Sequence, residues 1–559
     1  MDSIYETRPW LRIYPDHVPP DLDLPLKSAL DDFITTASRY PEKPAVHYFD
    51  HTISFGEVDA WSSAFAAALK DLGICKGDRV LLDLQNVPQF LIGVYGAWKA
   101  GAIVVPVNPM SKDREMDYSC RDSGAKVALI LDEVASTLDL DALRKTSVEH
   151  IITTSALDFL PGDCELPAVL GRVRRVSVAG ALNLSALLEK NKGRTIDSPD
   201  VSPKDVAYLT YTSGTTGQPK AAMNTHENVA FNARVYRAIL QIDEGDVLLG
   251  VAPLFHVTGE VAHLATAALS GVPLVLFYRF DPAETLRLIE RWKVTSTVAS
   301  ITVYIALMNH PDIRKRSLSS FIKAYSGGAP VSEAIVDRFQ ELTGLYIYNV
   351  YGLTETNSPS HIVPWRQKAP VDPESGALSV GVPVPSCTVK IMDLETGQKE
   401  VPPGDVGEIV ISGPIVIPGY WEKPLETSQT IRNGWLFTGD VGKMDADGWF
   451  YVVDRKKDMI VASGYKVWPR DVEDVIYQHP AVREAAVVGE PDPYRGETVK
   501  AFVVLKDGME TKVRPEDIIS FCKSKMAAYK YPRKVVLISE IPKTLTGKFL
   551  RRALREEPH

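Results

Sequence analysis

Tyr211-Thr212-Ser213-Gly214-Thr215-Thr216-Gly217-Gln218-Pro219-Lys220 follows a short apolar run, Val206 to Leu209, that predicts a buried strand. The two glycines allow the backbone to turn tightly and to approach a ligand without a Cβ in the way. The Ser and Thr hydroxyls, the loop amides and the final lysine can all contact an anion. The stretch therefore predicts a phosphate-binding loop. A Ser/Thr-rich surface turn is the alternative that its composition leaves open.

The spacing of this loop differs from that of the common P-loop. In the P-loop, four residues separate the two glycines and the lysine follows a glycine directly. Here two residues separate Gly214 from Gly217, and Pro219 precedes Lys220. The loop is therefore not assigned to the P-loop class, and the motifs elsewhere in the chain have to decide its role.

Length and composition are those of a globular protein with several cores. The 559 residues predict roughly three or four core units, and 45% hydrophobic with 24% charged residues is ordinary for such proteins. The net charge of −9 gives no reason to expect nucleic acid as a partner. Residues 523–555 nevertheless carry ten Lys or Arg and one acid, which indicates either a solvated helical face or a site for a polyanion.

The cysteines and the apolar stretches indicate a cytoplasmic protein. The five cysteines are far apart and form no C-x-x-C pair, which favours a reducing compartment over disulfides or a zinc site. The N-terminus is not typical of a signal peptide. The most apolar stretch, 90–107, is interrupted by Lys99 and Pro106 and predicts a buried helix and strand rather than a membrane span. The sequence is compatible with peripheral contact to a membrane. It is also compatible with either a monomer or a homodimer.

Strand and helix patterns alternate through the first 350 residues and predict parallel sheets covered by helices. Beyond residue 370, short apolar runs with Pro-Gly turns predict an antiparallel, barrel-like piece. A charged link at 454–458 precedes about a hundred residues with their own helix and strand content, which is the size of a small α+β domain. The main elements predicted are strands at 78–84, 102–107, 126–131, 150–153, 206–209, 247–251, 273–277, 295–299, 321–325, 346–350, 388–392, 407–411, 484–488, 501–505 and 535–537, and helices at 60–72, 88–100, 469–477 and 515–525.

Further motifs follow the opening loop in a fixed order. Glycine turns after predicted strands, as at 326–330, allow a flat base to lie on the backbone. The carboxylate of Glu355 suits a hard cation that bridges phosphates, and that of Asp440 can accept two donors. The motifs are Pro253-Leu254-Phe255-His256, Tyr325-Ser326-Gly327-Gly328-Ala329-Pro330, Tyr351-Gly352-Leu353-Thr354-Glu355, Phe437-Thr438-Gly439-Asp440, Asp454-Arg455-Lys456-Lys457, Ala462-Ser463-Gly464-Tyr465-Lys466 and Pro542-Lys543-Thr544-Leu545-Thr546-Gly547-Lys548.

Together these motifs resemble the acyl-adenylate-forming superfamily, which contains acyl-CoA synthetases, firefly-type luciferases and the adenylation domains of peptide synthetases. The resemblance extends from about residue 27 to the C-terminus. It implies an α/β fold with a large N-terminal domain at 1–454, made of two doubly wound αβ subdomains and a distorted β-barrel. A hinge at 455–458 and a small mobile α+β domain at 459–559 are expected to follow.

The resemblance also implies the residues that bind ATP and Mg²⁺. Tyr351 is expected to stack on adenine, Asp440 and Arg455 to hold the ribose, and Glu355 to bind Mg²⁺ directly or through water. Val350 departs from the family pattern, which often has glycine there. The ATP-binding residues implied are Thr212, Ser213, Gly214, Thr215, Thr216, Gly217, Lys220, Gly328, Ala329, Pro330, Tyr351, Gly352, Thr354, Asp440 and Arg455.

Three further roles come from the resemblance. Lys548 is implied to be the catalytic lysine of adenylation, with His256 and Glu355 as the other catalytic residues. Lys457 is implied to be the hinge about which the small domain turns. Gly464, Tyr465 and Lys466 are then expected to reach the active site and bind coenzyme A.

The acid that is activated is expected to be apolar. No acidic side chain is placed to hold an amino group, and no cation is placed for a second carboxylate. The link and the 464–466 loop resemble most those of medium- and long-chain fatty acyl-CoA ligases, and aryl or cinnamic acid ligases are the alternative. The predicted acyl pocket consists of His256, Val257, Gly259, Ile301, Thr302, Tyr304, Gly327, Leu353 and Thr356.

Other functions remain as alternatives on the same scaffold. A stand-alone adenylase could load a carrier protein or form an amide, and a luciferase-like oxygenase has no residue that favours it. A non-catalytic nucleotide-binding regulator would be expected to lack one of the motifs, and all of them are present. The leading hypothesis is an ATP-dependent acid–CoA ligase with ATP, Mg²⁺ and coenzyme A as its cofactors and co-substrates.

Overall fold

The fold is described from a computed structural model, which covers residues 3–162, 166–194, 196, 200–212, 218–455, 458–462, 465–492, 496–543 and 549–556. The strands are β1 Pro44–Tyr48, β2 His51–Ser54, β3 Arg79–Asp83, β4 Ile103–Val107, β5 Val127–Leu131, β6 His150–Thr154, β7 Leu182–Asn183, β8 Val206–Thr212, β9 Lys220–Thr225, β10 Leu248–Leu249, β11 Leu274–Leu276, β12 Ser296–Ala299, β13 Lys323–Gly327, β14 Ile347–Leu353, β15 Ser358–Ile362, β16 Val382–Pro383, β17 Thr388–Met392, β18 Gly407–Ser412, β19 Ile431–Arg432, β20 Trp435–Met444, β21 Phe450–Arg455, β22 Ile460–Ala462, β23 Tyr465–Val467, β24 Val482–Asp492, β25 Gly496–Leu505 and β26 Lys534–Leu537.

The α-helices connect these strands and cover the sheets. They are α1 Ala29–Arg39, α2 Phe55–Asp71, α3 Pro88–Lys99, α4 Asp113–Ser123, α5 Asp132–Ala135, α6 Leu140–Leu143, α7 Leu184–Lys190, α8 His226–Ile239, α9 Thr266–Ser270, α10 Pro282–Trp292, α11 Ile301–Asn309, α12 Glu333–Thr343, α13 Pro424–Thr430, α14 Pro469–Tyr477, α15 Pro515–Lys525 and α16 Arg551–Glu556. A π-helical segment, Gly259–Ala265, precedes α9. Among the described helices, none combines the length and the apolar character that a membrane crossing requires.

Two large sheets form the N-terminal part of the chain. The first has seven strands in the order β7-β6-β5-β3-β4-β8-β9, and the second has nine in the order β16-β15-β14-β13-β12-β10-β11-β1-β2. Both are parallel through their centres, as the βαβ pattern predicts, and both have antiparallel edges that the pattern did not predict. Strands β1 and β2 join the second sheet although they come first in the chain.

Two smaller sheets complete the fold. Strands β17, β18, β20 and β19 form an antiparallel sheet, with β21 paired to β20. Strands β23, β22, β25 and β24 form the last sheet, to which β26 adds parallel to β25. The residues beyond Ile460 have hydrophobic clusters of their own, separate from the large cluster that runs through the first three sheets. The predicted α/β class, with a large N-terminal and a small C-terminal domain, is confirmed.

Local signals explain most element boundaries. Helix α2 begins at Phe55, earlier than the predicted Ala60, because Ser54 caps it. The Ser54 hydroxyl accepts a hydrogen bond from the Glu57 amide at 3.2 Å, and the Glu57 carboxylate accepts one from the Ser54 amide at 2.8 Å. The N-terminal segment before α1 contains a short 3₁₀ helix, Pro9–Ile13. Its Trp10 is fully buried and lies against Phe450, with ring centroids 5.7 Å apart.

Candidate active site

A small cavity lies where β13 and β14 end. Its volume is about 50 Å³, and it is lined by Tyr236, His256, Val257, Thr258, Val298, Gly327, Gly328, Val350, Gly352, Leu353, Thr354 and Ser358. In open parallel sheets, ligands bind at the carboxyl ends of the strands, and this cavity has that position. The sequence motifs at 256, 327–328 and 351–354 therefore meet at one place.

Glycines allow the backbone to close around this cavity. A Cβ on Gly352 would lie 1.6 Å from the Ser358 carbonyl oxygen, so the turn from β14 into β15 requires glycine. Gly328 has φ +79°, in the left-handed region that glycine adopts without strain. A side chain would therefore clash at Gly352 and would strain the backbone at Gly328.

His256 lies at the cavity with its ring held by the backbone. Its Nδ1 accepts a hydrogen bond from the Thr258 amide at 3.3 Å. In the neutral ring the proton is therefore on Nε2, which leaves Nε2 as a donor. The Glu260 amide donates to the His256 carbonyl at 3.0 Å, which fixes the start of the π-helical segment.

The Glu260 side chain forms a contact that sequence reasoning did not identify. Its carboxyl is fully buried and accepts hydrogen bonds from the Thr210 hydroxyl at 2.9 and 3.1 Å. Burial raises the pKa of Glu260 to about 8, against a smaller lowering by Thr210. This contact joins the His256 segment to β8, the strand that leads into the predicted phosphate loop.

Lys220 and Glu355 meet at Tyr420. The Lys220 Nζ lies 4.5 Å from the centroid of the Tyr420 ring, and the Tyr420 hydroxyl donates to Glu355 Oε1 at 2.6 Å. Burial, and then the Glu355 charge, raise the pKa of Tyr420 above its ordinary value, so its hydroxyl stays a donor. The Glu355 carbonyl accepts from the Ile417 amide at 3.1 Å, which holds the loop in place. The sequence did not predict a role for Tyr420, because its contacts with Lys220 and Glu355 join segments that are far apart in the chain.

Tyr351 and Asp440 also lie together. The Tyr351 hydroxyl donates to Asp440 Oδ2 at 2.7 Å. The backbone of Asp440 is paired with that of Arg455 in the ladder of β20 and β21. The carboxylate is nearly fully buried, at 3% exposure of the residue, which makes it a localised acceptor for paired hydroxyl donors.

Asn224 joins the two large sheets at the site. Its Nδ2 donates to the Thr354 carbonyl at 3.1 Å and to Asn357 Oδ1 at 2.9 Å. Because Asn224 is on β9, which pairs Lys220 with Thr212, the phosphate-loop hairpin is fixed against the 351–355 turn. The site is therefore built between two sheets rather than on one.

Comparison with known proteins agrees with this geometry. The family model of the AMP-binding enzymes matches residues 33–421, and that of the AMP-binding enzyme C-terminal domain matches residues 471–548. The chain belongs to the AMP-binding enzyme family. The two matches lie on either side of the charged link.

Relatives and solved structures of AMP-binding enzymes match almost the whole chain. The long-chain-fatty-acid–CoA ligase of Bacillus subtilis strain 168 is 38% identical, with 98% of each chain covered. The feruloyl-CoA synthase of an Amycolatopsis species is 33% identical over 93% of this chain and 97% of its own. The crystal structure of an anthranilate CoA ligase in complex with anthranoyl-AMP superposes with a TM-score of 0.83 at 29% identity, covering 95% of this chain and 97% of that one.

The predicted acyl-pocket residues divide into two groups in this AMP-binding enzyme. His256, Val257, Gly327 and Leu353 line the cavity, whereas Gly259, Ile301, Thr302, Tyr304 and Thr356 do not. Tyr304 is fully buried and its hydroxyl donates to the Tyr325 carbonyl at 2.7 Å. Thr356 is fully buried as well, and its hydroxyl accepts from the Leu353 amide at 2.9 Å. These two hydroxyls support the backbone beside the cavity, and their assignment to the acyl pocket stays a prediction.

Several predicted residues lie outside the described part of the chain. They are Ser213, Gly214, Thr215, Thr216, Gly217, Lys457, Gly464 and Lys548. Tyr465 and Lys466 belong to β23, and Ala329 and Pro330 follow β13. Within the described residues, no three His, Cys, Asp or Glu side chains cluster as a metal site.

Proposed function

We propose that this chain is an AMP-forming acid–CoA ligase that activates an apolar carboxylic acid, with medium- and long-chain fatty acids as the leading class. The meeting of Lys220 and Glu355 at Tyr420 carries the proposal, because it puts a cation and a carboxylate together beside the cavity lined by His256 and Thr354. A triphosphate bound there would direct its α-phosphate toward the cavity. The similar anthranilate CoA ligase structure contains anthranoyl-AMP, which supports an adenylate intermediate on this fold.

In the first step, the substrate carboxylate attacks the α-phosphorus of ATP and pyrophosphate leaves. The carboxylate and the phosphates repel each other, so the site has to supply positive charge. Lys220 contacts the phosphates that leave, and Lys548 bridges the carboxylate and the α-phosphate. The step needs no protein base, because the acid is already ionised at neutral pH.

Glu355 is the residue that would hold Mg²⁺. Mg²⁺ is usually bound by one or two carboxylates together with substrate phosphates, and a single partly exposed carboxylate beside Lys220 fits that pattern. When bound, the ion would neutralise phosphate charge. The hydrogen bond from Tyr420 orients the carboxylate and leaves its second oxygen available.

The second step transfers the acyl group from AMP to the thiol of coenzyme A. For this step we infer that the chain is divided into an N-terminal domain at 1–454 and a mobile C-terminal domain at 459–559. A hinge at 455–458, which contains Lys457, joins the two domains. Rotation would withdraw Lys548 and bring Gly464, Tyr465 and Lys466 to the acyl group. AMP is a good leaving group, so positioning of the thiol is the main requirement.

The cavity alone does not decide the class of acid. Its volume of about 50 Å³ is well below the range of roughly 300–1,000 Å³ that is usual for ligand sites, so its size does not favour one class of acid over the other. Its lining is mixed, with the apolar Val257, Val298, Val350 and Leu353 beside five polar side chains and three glycines. The fatty-acid class is supported instead by the relatives that are long-chain-fatty-acid–CoA ligases. An aryl or cinnamic acid is the second candidate, because the relatives include a feruloyl-CoA synthase. We also propose that the protein is cytoplasmic and that its partners are small molecules rather than nucleic acids.

A panel of acids tests the proposal. Saturated acids of increasing chain length, benzoate and ferulate are each incubated with ATP and Mg²⁺, with and without coenzyme A. We expect pyrophosphate release with a fatty acid, and AMP with a thioester only when coenzyme A is added. Pyrophosphate release with ferulate alone would favour the aryl class. ADP and phosphate as products, with no AMP, would contradict the proposal.

A further inference from the structure

A buried charge cluster lies where the chain passes from β21 to the C-terminal sheet. The guanidinium of Arg551, at the start of α16, contacts both carboxylate oxygens of Glu473 at 2.8 Å. It also lies 3.4 Å from Asp458 and 3.7 Å from Asp454. The carboxylates of Asp454, Asp458 and Glu473 are 2%, 9% and 8% exposed, so these charges interact away from bulk water.

Asp454 differs from the other two acids because it precedes the proposed hinge. It is on β21, where it pairs with Val441 of β20. Its second oxygen accepts a hydrogen bond from the Arg470 amide at 2.9 Å. The Arg470 guanidinium in turn donates to the Val452 carbonyl at 2.7 Å. Arg470 and Arg551 therefore reach from the C-terminal part of the chain back to β21.

We propose that the ion pair between Arg551 and Asp454 holds the two domains in the orientation seen here, and that it separates when the C-terminal domain turns between the two half-reactions. This inference rests on the proposed function, since it concerns the rotation that the second step requires. Asp454 moves with the N-terminal domain, whereas Arg551 moves with α16. A rotation about 455–458 has to pull them apart.

The rest of the cluster explains why such a pair can open without unfolding the small domain. Arg551 keeps Glu473, which follows the hinge, and Asp458, the last residue of the hinge, so its charge stays compensated after Asp454 leaves. Burial acts to lower the pKa of Arg551, but Glu473, Asp454 and Asp458 together raise it, so it remains cationic. Arg551 is a positioning residue by this account, since it acts on domain orientation and does not touch the substrates.

Asp454→Asn is the first test, because the amide oxygen can still accept from the Arg470 amide while the charge is lost. Adenylation is measured as pyrophosphate release in a single turnover without coenzyme A. Thioester formation is measured by adding coenzyme A to the enzyme with preformed acyl-AMP. We expect the ratio of the two rates to change at least about fivefold, which is the lower end of typical coupling effects. One rate should fall, and the other should stay constant or rise.

Arg551→Gln removes the other partner and should change the ratio in the same direction. The double variant should change it no further than the stronger single variant, because the two residues act through one contact. Arg555→Gln is the matched control. It is on the same helix and pairs with Asp458 at 3.0 Å, so it removes an equal charge without touching the N-terminal side. The ratio for this control should match that of the wild type.

Equal losses in both half-reactions, or an unchanged ratio in Asp454→Asn, would overturn the inference. If Arg551→Gln does not fold, Asp454→Asn still decides the matter. Measurements on the wild-type enzyme distinguish failure of the ion-pair proposal from failure of the proposed function. If the wild type forms no acyl-AMP, the ligase proposal fails. If it forms acyl-AMP and Asp454→Asn leaves the ratio unchanged, only the ion-pair proposal fails.

Discussion

Lys548→Ala is expected to form acyl-AMP roughly 10²–10³-fold more slowly than the wild type, by analogy with loss of one transition-state donor. The substrate carboxylate and the α-phosphate are both negative, and their repulsion is greatest as the new bond forms. A lysine between them stabilises the transition state more than the separated substrates, so its loss lowers the rate rather than ATP affinity. Thiolysis of preformed acyl-AMP should change little, because Lys548 is expected to have left the site by then.

Lys543→Ala is the matched control for this variant. It lies in the same basic segment, and its Nζ pairs with Glu484 Oε1 at 2.6 Å on the C-terminal domain. Its removal changes the net charge equally and should leave both half-reactions within about threefold, because the pair is partly buried within the C-terminal domain and its lysine is not proposed to contact the reacting groups. If Lys548→Ala slowed both half-reactions by the same factor, the two-orientation account would be wrong.

Glu355→Gln is expected to raise the Mg²⁺ concentration needed for half-maximal adenylation about 10- to 100-fold, the usual effect of losing a group that supports a bound metal. The neutral amide keeps the size of the side chain but removes the charge that attracts a hard cation. A titration of Mg²⁺ at fixed ATP, read by pyrophosphate release, measures the change. The substitution should affect adenylation much more than thiolysis.

Tyr420→Phe separates the charge of Glu355 from its orientation. The variant removes only the hydrogen bond to Oε1, which contributes about 1.5–3 kcal/mol where one partner is charged. The ring under Lys220 remains. Because this bond orients the carboxylate, we expect the Mg²⁺ requirement to rise in the same direction as in Glu355→Gln, but by less, since the charge of Glu355 remains. An unchanged Mg²⁺ requirement in Glu355→Gln would mean that Glu355 does not contact the ion.

Local patterns predicted much of the fold. Strand β17 was predicted residue for residue, as were helices α14 and α15, because alternation, proline at the helix start and helical periodicity are properties of neighbouring residues. The antiparallel edges, and the entry of β1 and β2 into the second sheet, depend on pairing between distant segments. No local pattern contains that information.

The site shows the same division. The motifs at 256, 327–328 and 351–354 were placed together by the resemblance, and the structure brings them to one cavity. Tyr420 and Glu260 were missed because neither belongs to a motif, and each is recognised only from its contacts with Glu355 and Thr210. The hydrogen bonds of Tyr304 and Thr356 to the backbone could not be predicted either, because the direction of a side chain is decided by packing.

Transfer of ¹⁸O from the acid to AMP tests the central claim most directly. The enzyme is given a substrate acid labelled in both carboxylate oxygens, together with ATP, Mg²⁺ and coenzyme A, and the products are analysed by mass spectrometry. Attack of the carboxylate on the α-phosphorus joins one labelled oxygen to phosphorus, and thiolysis then breaks the bond between that oxygen and the acyl carbon. The account predicts one ¹⁸O in each AMP and none in pyrophosphate. Unlabelled AMP, or label in pyrophosphate or inorganic phosphate, would contradict it.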